Sequence, residues 1–224
     1  MKNIFVSILL LLVIHSFVQA QEKRINLYGG YVFDDNLNSY YSSYQYVNGT
    51  VKGGFQYGGG IEFITPEHMG IELLYIGQMT TLPISFNSGF NNGARNATND
   101  FNLNYALLGI NRYMRHEGSK MEGYGGLLLG CLFSDAKNTG ISDSSASHYE
   151  GFSSSATRFT WGLKLGANMW VSDNVGIKVQ SQLLSTLDAV GGASYYGNYY
   201  GYYTYINMLQ FSFSGGLVFK LGGK

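Results

Sequence analysis

Residues able to support catalysis or bind a metal are few in this sequence. Ser153–Ser155 lie close to His148 and Glu150, and an acyl hydrolase needs a serine within reach of such a base. Serine-rich stretches of this kind are, however, typical of flexible polar linkers. His68 and His116 have no histidine partner at metal-ligand spacing within one element, and neither has His148. We therefore predict no catalytic, metal or cofactor site, and expect that the chain is not an enzyme.

Charged residues form a second set with possible chemistry, because they occur within stretches that alternate between apolar and polar residues. All of them fall on the face opposite the apolar row, and most lie close to a short turn or to a chain terminus. If that face lines a poorly hydrated interior, each charge needs a partner. We predict a salt-bridge network that closes the lower interior, so Glu62→Ala should lower thermal stability; the alternative is solvation of these charges at the barrel mouth. The set is Arg24, Glu62, Glu72, Arg112, Glu122, Lys164, Lys178 and Lys220.

The elements that must position these charges are β-strands, since the hydrophobic period is two rather than 3.6. Aromatic and aliphatic residues alternate with Gly, Ser, Gln and charged residues over eight segments. Both prolines, Pro66 and Pro83, lie between segments, as expected for strands paired on both edges. The predicted strands are 24–33, 53–64, 70–79, 101–114, 121–133, 157–171, 175–185 and 206–220.

The connections between these strands alternate strictly in length. Three are short and carry turn residues, namely 65–69, 115–120 and 172–174. The other four are long, at 34–52, 80–100, 134–156 and 186–205. Short turns at one end and long loops at the other are typical of outer-membrane barrels.

The apolar row of each strand is expected to face lipid, and the row that carries the charges to face the interior. In the fourth strand this choice places Arg112, Leu108 and Ile110 inside, and Phe101, Asn111 and Tyr113 outside. Several leucines and isoleucines then point inward, among them Leu74, Ile76, Leu128 and Leu132. A dry, packed lumen explains them, and so does a soluble barrel with an apolar cavity.

The N-terminus predicts export. Lys2, the apolar run 4–14 and small residues before position 21 indicate a signal peptide over 1–20, which leaves a mature barrel domain over 21–224.

The composition excludes other classes of protein. The single cysteine excludes a disulfide framework, and 14 basic against 14 acidic residues argue against a nucleic-acid partner.

Tyrosine is concentrated in two of the long loops. Tyrosine mixed with Ser, Gly and Asn is the chemistry of adaptable binding loops, so an extracellular glycan or protein could bind there. The alternative is strands that extend above the membrane, with no binding role. The residues are Tyr40, Tyr41, Tyr44, Tyr46, Tyr195, Tyr196, Tyr199, Tyr200, Tyr202 and Tyr203.

Together with Gly-aromatic repeats such as Tyr28-Gly29-Gly30-Tyr31, these features resemble the OmpA/OmpX-like family of small outer-membrane barrels. The resemblance implies an eight-stranded, antiparallel, up-and-down transmembrane β-barrel in the outer membrane of a Gram-negative bacterium, embedded in lipid and expected to be monomeric. We expect a closed or very narrow lumen and loops that bind a surface or partner. The alternatives are a narrow channel, a subunit of an envelope secretion or assembly machine, a lipid hydrolase and a soluble ligand-binding barrel.

Overall fold

A computed structural model of the chain describes residues 22–42, 45–88, 95–116, 118–141, 153–187 and 208–221. The predicted signal peptide over 1–20 lies outside these residues and stays a prediction. Within the described ranges, no helix is long and apolar enough to cross a membrane.

Antiparallel strands make up nearly all of the described chain, as the period-two pattern predicts. The longest, β5 to β8, contain 18 to 21 residues and extend well past the segments predicted from the sequence. The strands are β1 Glu22–Val32, β2 Asp35–Ser42, β3 Gln45–Val51, β4 Gly54–Ile64, β5 Met69–Ser88, β6 Arg95–Arg115, β7 Met121–Ile141, β8 Ser153–Trp170, β9 Val175–Thr186 and β10 Met208–Leu221.

Eight of these strands close into a barrel. β1 pairs with β4 on one edge and with β10 on the other, and the remaining neighbours follow chain order from β4 to β10. The pairing of β5 with β6 completes the cycle, so each of the eight strands has two partners. The predicted fold class, an eight-stranded antiparallel barrel, is confirmed.

The first predicted loop, 34–52, is instead a β-hairpin made of β2 and β3. It continues the β1–β4 pair beyond a break at 33–34 and 52–53, and β3 then pairs with the upper part of β5. Asp34 holds the break together, because it accepts a hydrogen bond from the Gly53 backbone N–H at 2.7 Å and pairs with Lys52 at 2.9 Å. Asp35 accepts a further bond from the Leu209 N–H of β10 at 2.8 Å.

The outward face of the barrel is apolar around its circumference. Phe55, Met79 and Leu165 each expose about two thirds of their surface, at 66, 71 and 65 %. A water-soluble protein does not expose a continuous apolar band of this size, whereas a membrane barrel needs one facing lipid. The band and the polar inward rows indicate a barrel that spans a membrane, and they argue against the soluble barrel.

The face prediction for the fourth strand, now β6, was wrong. Its odd-numbered residues point into the barrel and its even-numbered residues point outward. Both rows are largely apolar, so the single charge decided the prediction, yet that charge lies at the strand end, where it reaches the membrane surface. The residues placed on the wrong face are Phe101, Leu108, Ile110, Asn111, Arg112 and Tyr113.

Candidate functional site

Six charged side chains occupy the lumen near the short-turn end, and we call them the lumenal charge cluster. They project from the inward rows of β1, β4, β5, β7, β8 and β9, and each is at most 1 % exposed. Their placement follows from the alternation of each strand, since every second residue of a strand points to the same face. Each charge differs by an even number of positions from the other inward residues of its strand. The cluster consists of Arg24, Glu62, Glu72, Glu122, Lys164 and Lys178.

Two carboxylates lie at the centre of the cluster. Glu62 and Glu72 are direct cross-strand neighbours on β4 and β5, an arrangement that is destabilising for like charges. Lys164 donates a hydrogen bond to Glu72 from the far side of the lumen. Lys178 Nζ lies 3.8 Å from Glu62 Oε2, so the two carboxylates face two ammonium groups.

Neutral side chains fill the remaining hydrogen-bonding positions of this carboxylate pair. Asn26 donates to Glu62 at 3.1 Å and to Glu72 at 2.7 Å, and its amide thereby bridges the pair. Asn111 bridges the pair from β6, at 2.6 and 3.4 Å. Tyr113 donates to Glu62 at 2.6 Å. Buried carboxylates held by several donors are fixed in one geometry.

Tyrosine rings contribute to the same region. Tyr28 donates to Glu72, and its ring centroid lies 5.6 Å from Lys178 Nζ. The ring of Tyr124 lies 4.6 Å from the same Nζ. Cation–π contacts of this kind stabilise a desolvated ammonium group. Lys178 is therefore held by two aromatic faces as well as by Glu62.

A second ion pair lies below the first, closer to the short-turn mouth. Arg24 binds Glu122 through both terminal nitrogens, and Asn168 donates to Glu122 at 2.8 Å. The Arg24 guanidinium is stacked between Tyr113 and Trp170, at 4.8 and 4.9 Å from their ring centroids. This stacking uses the flat guanidinium in a way that a lysine could not.

The mouth itself is lined by charged side chains that are partly exposed. Arg115 pairs with Glu122 at 2.9 Å and with Glu22 at 3.3 Å. Lys220 lies 3.9 Å from Glu22, and its Nζ lies 3.8 Å from the Trp170 ring centroid. Lys220 thus lies at the edge of the cluster rather than within it.

Glycines on the inward rows make room for these long side chains. A Cβ at Gly70 would collide with the Glu62 carboxylate, and one at Gly60 would come within 2.7 Å of a Glu72 oxygen. A Cβ at Gly109 would lie 3.4 Å from Lys164 Nζ. The Gly-rich strands therefore leave a cavity in the shape of the cluster, which the charged side chains fill.

Above the cluster the lumen is filled by uncharged side chains. One wall, on β5 to β7, is mainly aliphatic and includes Leu74, Ile76, Leu107, Leu128 and Leu132. The opposite wall, on β4 and on β8 to β10, carries buried amides and hydroxyls: Gln56, Thr160, Gln180, Gln182, Gln210 and Ser212. The side chains named on these two walls are uncharged, unlike those of the cluster below them.

The structure places the residues predicted for the network unequally. Arg24, Glu62, Glu72, Glu122, Lys164 and Lys178 lie together, Lys220 lies at the rim, and Arg112 points outward to the membrane edge. Sequence reasoning missed the neutral partners Asn26, Tyr28, Asn111, Tyr113, Tyr124, Asn168 and Trp170. Asn26, Tyr28, Tyr124 and Asn168 could have been predicted as partners, because they lie on inward rows. Asn111 and Tyr113 could not, because the sequence predicts the opposite face for them.

The predicted tyrosine patch cannot be located. Tyr44, Tyr195, Tyr196, Tyr199, Tyr200, Tyr202 and Tyr203 lie outside the described residues. Tyr40, Tyr41 and Tyr46 belong to the β2–β3 hairpin, for which only the strand pairing is described. Among the described residues, no three His, Cys, Asp or Glu side chains gather to hold a metal ion.

The barrel was compared with known proteins. No protein-family model and no curated protein matches the chain. Among solved structures, the outer membrane protein OprG from Pseudomonas aeruginosa superimposes with a TM-score of 0.53 at 14 % identity, over 92 % of this chain and 98 % of OprG. The fold is that of a small outer-membrane β-barrel.

Two further structures share this outer-membrane barrel fold. The outer membrane protease OmpT from Escherichia coli has a TM-score of 0.53 at 9 % identity, over 90 % of this chain and 97 % of OmpT. The outer membrane protein AlkL has a TM-score of 0.51 at 8 % identity, over 91 % of this chain and 92 % of AlkL. At these sequence identities the comparisons show only that the fold is shared. Together with the apolar outward band, the fold indicates an integral outer-membrane protein embedded in lipid.

Proposed function

We propose that this outer-membrane barrel is a non-enzymatic protein with a closed lumen, whose activity lies in the segments displayed at its long-loop end. The observation that supports the proposal is the lumenal charge cluster. Its three acids and three bases balance, so the cluster brings no net charge that would favour ions of one sign in the lower lumen. An eight-stranded barrel is just wide enough for side chains to fill, and the buried leucines, glutamines and charged side chains of the inward rows support a closed lumen.

The catalytic alternative lacks support within the described residues. A hydrolase needs a nucleophile with a base in hydrogen-bond reach. The carboxylates of the cluster are instead held by ammonium, amide and phenol donors, and each carboxylate side chain is at most 1 % exposed. Exposed His68 lies in a turn, where its Nδ1 contacts the Pro66 carbonyl oxygen at 3.1 Å. OmpT is described as a protease, but the described contacts of this chain do not indicate a protease site.

Conductance tests the closed lumen. The purified full chain is inserted into planar bilayers, with a wide-pore outer-membrane porin as the positive control in the same lipid. We expect no discrete current steps from this protein across a range of salt concentrations. Reproducible steps would contradict the closed lumen and favour a narrow channel.

Binding by the segments at the long-loop end is tested separately, because it does not depend on whether the lumen is closed. Intact protein in lipid nanodiscs is screened against glycans and extracellular polypeptides. A variant that combines Tyr199→Ser, Tyr200→Ser, Tyr202→Ser and Tyr203→Ser serves as the comparison. We expect binding that this variant loses while its heat-dependent gel mobility is unchanged. Equal binding by both proteins would contradict a tyrosine-based surface, and stable co-purification with secretion proteins would favour the machine subunit.

A further inference from the structure

Three polar side chains converge on one point of the lipid-facing wall. Tyr57 of β4, Gly77 of β5 and Asn104 of β6 are cross-strand neighbours in one row, and all three belong to outward rows. The Tyr57 ring lies across Gly77, where a Cβ would be 3.0 Å from the Tyr57 hydroxyl oxygen. From the other side, the Tyr75 hydroxyl donates to Asn104 Oδ1 at 2.7 Å. We call Tyr57, Tyr75 and Asn104 the wall triad.

The wall triad has unused hydrogen-bonding groups. Among the described residues, no hydrogen bond involves the Tyr57 hydroxyl, and the Asn104 amide bonds only through its oxygen. Both tyrosines are nearly half exposed. An amide and two hydroxyls offer donors and acceptors together. In a membrane such groups are costly unless they find a partner, so the triad suits a ligand that both donates and accepts.

The depth of the triad is set by its position along the strands. Gly77 is eight residues along β5 from Met69 at the short-turn end. At about 3.3 Å per residue and a tilt of about 40°, it lies about 20 Å above the lower edge of an apolar band about 25 Å tall. One pleat higher, Asp135 beside Asn102 is the first charge on the outward row of β7. The triad therefore lies where acyl chains join headgroups in the extracellular leaflet.

We propose that the wall triad binds lipid A, the membrane anchor of the lipopolysaccharide that forms the extracellular leaflet of an outer membrane. Lipid A carries hydroxylated acyl chains in amide linkage, so its linkage region supplies hydroxyl and amide donors as well as carbonyl acceptors. The ester linkages of a glycerophospholipid supply acceptors alone. Asn104 can pair with such an amide through its N–H and its oxygen, and Tyr57 can bind the neighbouring hydroxyl.

Charge does not contribute to this recognition. Asp100 and Asp135 are exposed on the outward rows above the triad, where they oppose the phosphates of lipid A. The uncharged triad therefore selects the linkage region rather than the phosphates. Monophosphoryl lipid A, which has one phosphate fewer, should bind at least as well as the diphosphoryl form.

Native mass spectrometry of the intact barrel tests the proposal. The protein is released from phosphatidylcholine vesicles that contain diphosphoryl lipid A, monophosphoryl lipid A or phosphatidylglycerol, and the retained lipids are counted. We expect both forms of lipid A to be retained in preference to phosphatidylglycerol. Tyr57→Phe should weaken this preference about fivefold, the factor of a typical neutral hydrogen bond, and Tyr57→Phe/Asn104→Leu about 25-fold. The heat-dependent mobility of each variant on a gel confirms that it has folded.

Tyr31→Phe is the matched control. Tyr31 faces outward on β1, is about half exposed, and packs edge-on against Phe33 at 5.5 Å. Its replacement removes the same hydroxyl away from the triad and should leave the lipid preference unchanged. An equal loss with Tyr31→Phe, an unchanged preference in the double variant, equal retention of phosphatidylglycerol, or stronger retention of the diphosphoryl form would each overturn the proposal. The result does not depend on whether the lumen is closed or the loops bind a partner.

Discussion

The pairing of Lys164 with Glu72 makes a sharp prediction about stability. Lys164→Met keeps the length of the side chain and removes its charge, which leaves the buried Glu72 carboxylate without its hydrogen-bonded cation. Breaking one partner of a buried pair costs about 3–5 kcal/mol. Because Lys178 remains near the carboxylate pair, we expect about 3 kcal/mol.

The double variant Lys164→Met/Glu72→Gln removes both charges together. A neutral glutamine still accepts from Asn26 and Tyr28, so the double variant should be more stable than Lys164→Met alone. The coupling energy is then within about 0.5–3 kcal/mol, the range found for contacting residues. Lys178→Met is the matched comparison and should cost less, because its Nζ makes no hydrogen bond and lies 3.8 Å from Glu62.

Urea unfolding of the barrel in phosphatidylcholine vesicles, followed by tryptophan fluorescence, measures these differences. With a slope of about 2 kcal/mol per molar urea, Lys164→Met should lower the midpoint by about 1.5 M. If the two single losses add in the double variant, the side chains do not interact. If Lys164→Met changes the midpoint by less than about 0.25 M, water solvates this region and the closed lumen is wrong.

Two further predictions concern the strand backbone and the upper rim. Gly216→Ala should cost about 1–3 kcal/mol, because its Cβ would overlap the Leu27 carbonyl oxygen of β1. Gly215→Ala should change the urea midpoint little, because its Cβ would meet only the Lys178 carbonyl oxygen, at an ordinary contact distance of 3.8 Å. Asp34 has a lowered pKa, owing first to the Gly53 backbone N–H and then to Lys52. The break that it holds is therefore stabilised above the ordinary aspartate pKa of about 4 and loses this support as the pH falls through the lower value. In an NMR titration, Lys52→Gln should raise the Asp34 pKa only partly; complete recovery of the ordinary value would contradict the leading role of Gly53.

The strand order and most strand faces can be predicted from the sequence, because one face of a membrane strand contacts lipid and the other contacts the barrel interior. Strands with one charged row and one apolar row, such as β8 with Lys164 opposite Leu165, could be oriented from their residues alone. β6 could not, because leucines occur on both of its faces and Arg112 lies at its end. A charge facing lipid costs little near the interface, so its position there carries no information about the face.

The partners within the cluster were beyond sequence reasoning for a different reason. A strand pattern gives the height and the face of a side chain, but not which residue it meets across the lumen. Glu62 opposite Glu72 is unfavourable within the hairpin alone, and it becomes favourable only when β8 and β9 bring Lys164 and Lys178. The sequence predicts a loop where the β2–β3 hairpin lies, because this Asn-, Ser- and Tyr-rich segment has no alternating apolar row.

The division of the cluster between the two halves of the chain has a consequence for biogenesis. Both central carboxylates come from β4 and β5, while both ammonium groups come from β8 and β9. A nascent sheet of only the first strands would hold Glu62 and Glu72 with Arg24 of β1, the cross-strand neighbour of Glu62, as the one cluster cation, so it would bring an excess of negative charge into the bilayer, which is unfavourable. Insertion of the N-terminal strands before β8 and β9 join them is therefore disfavoured, and we expect membrane insertion and ring closure to be coupled.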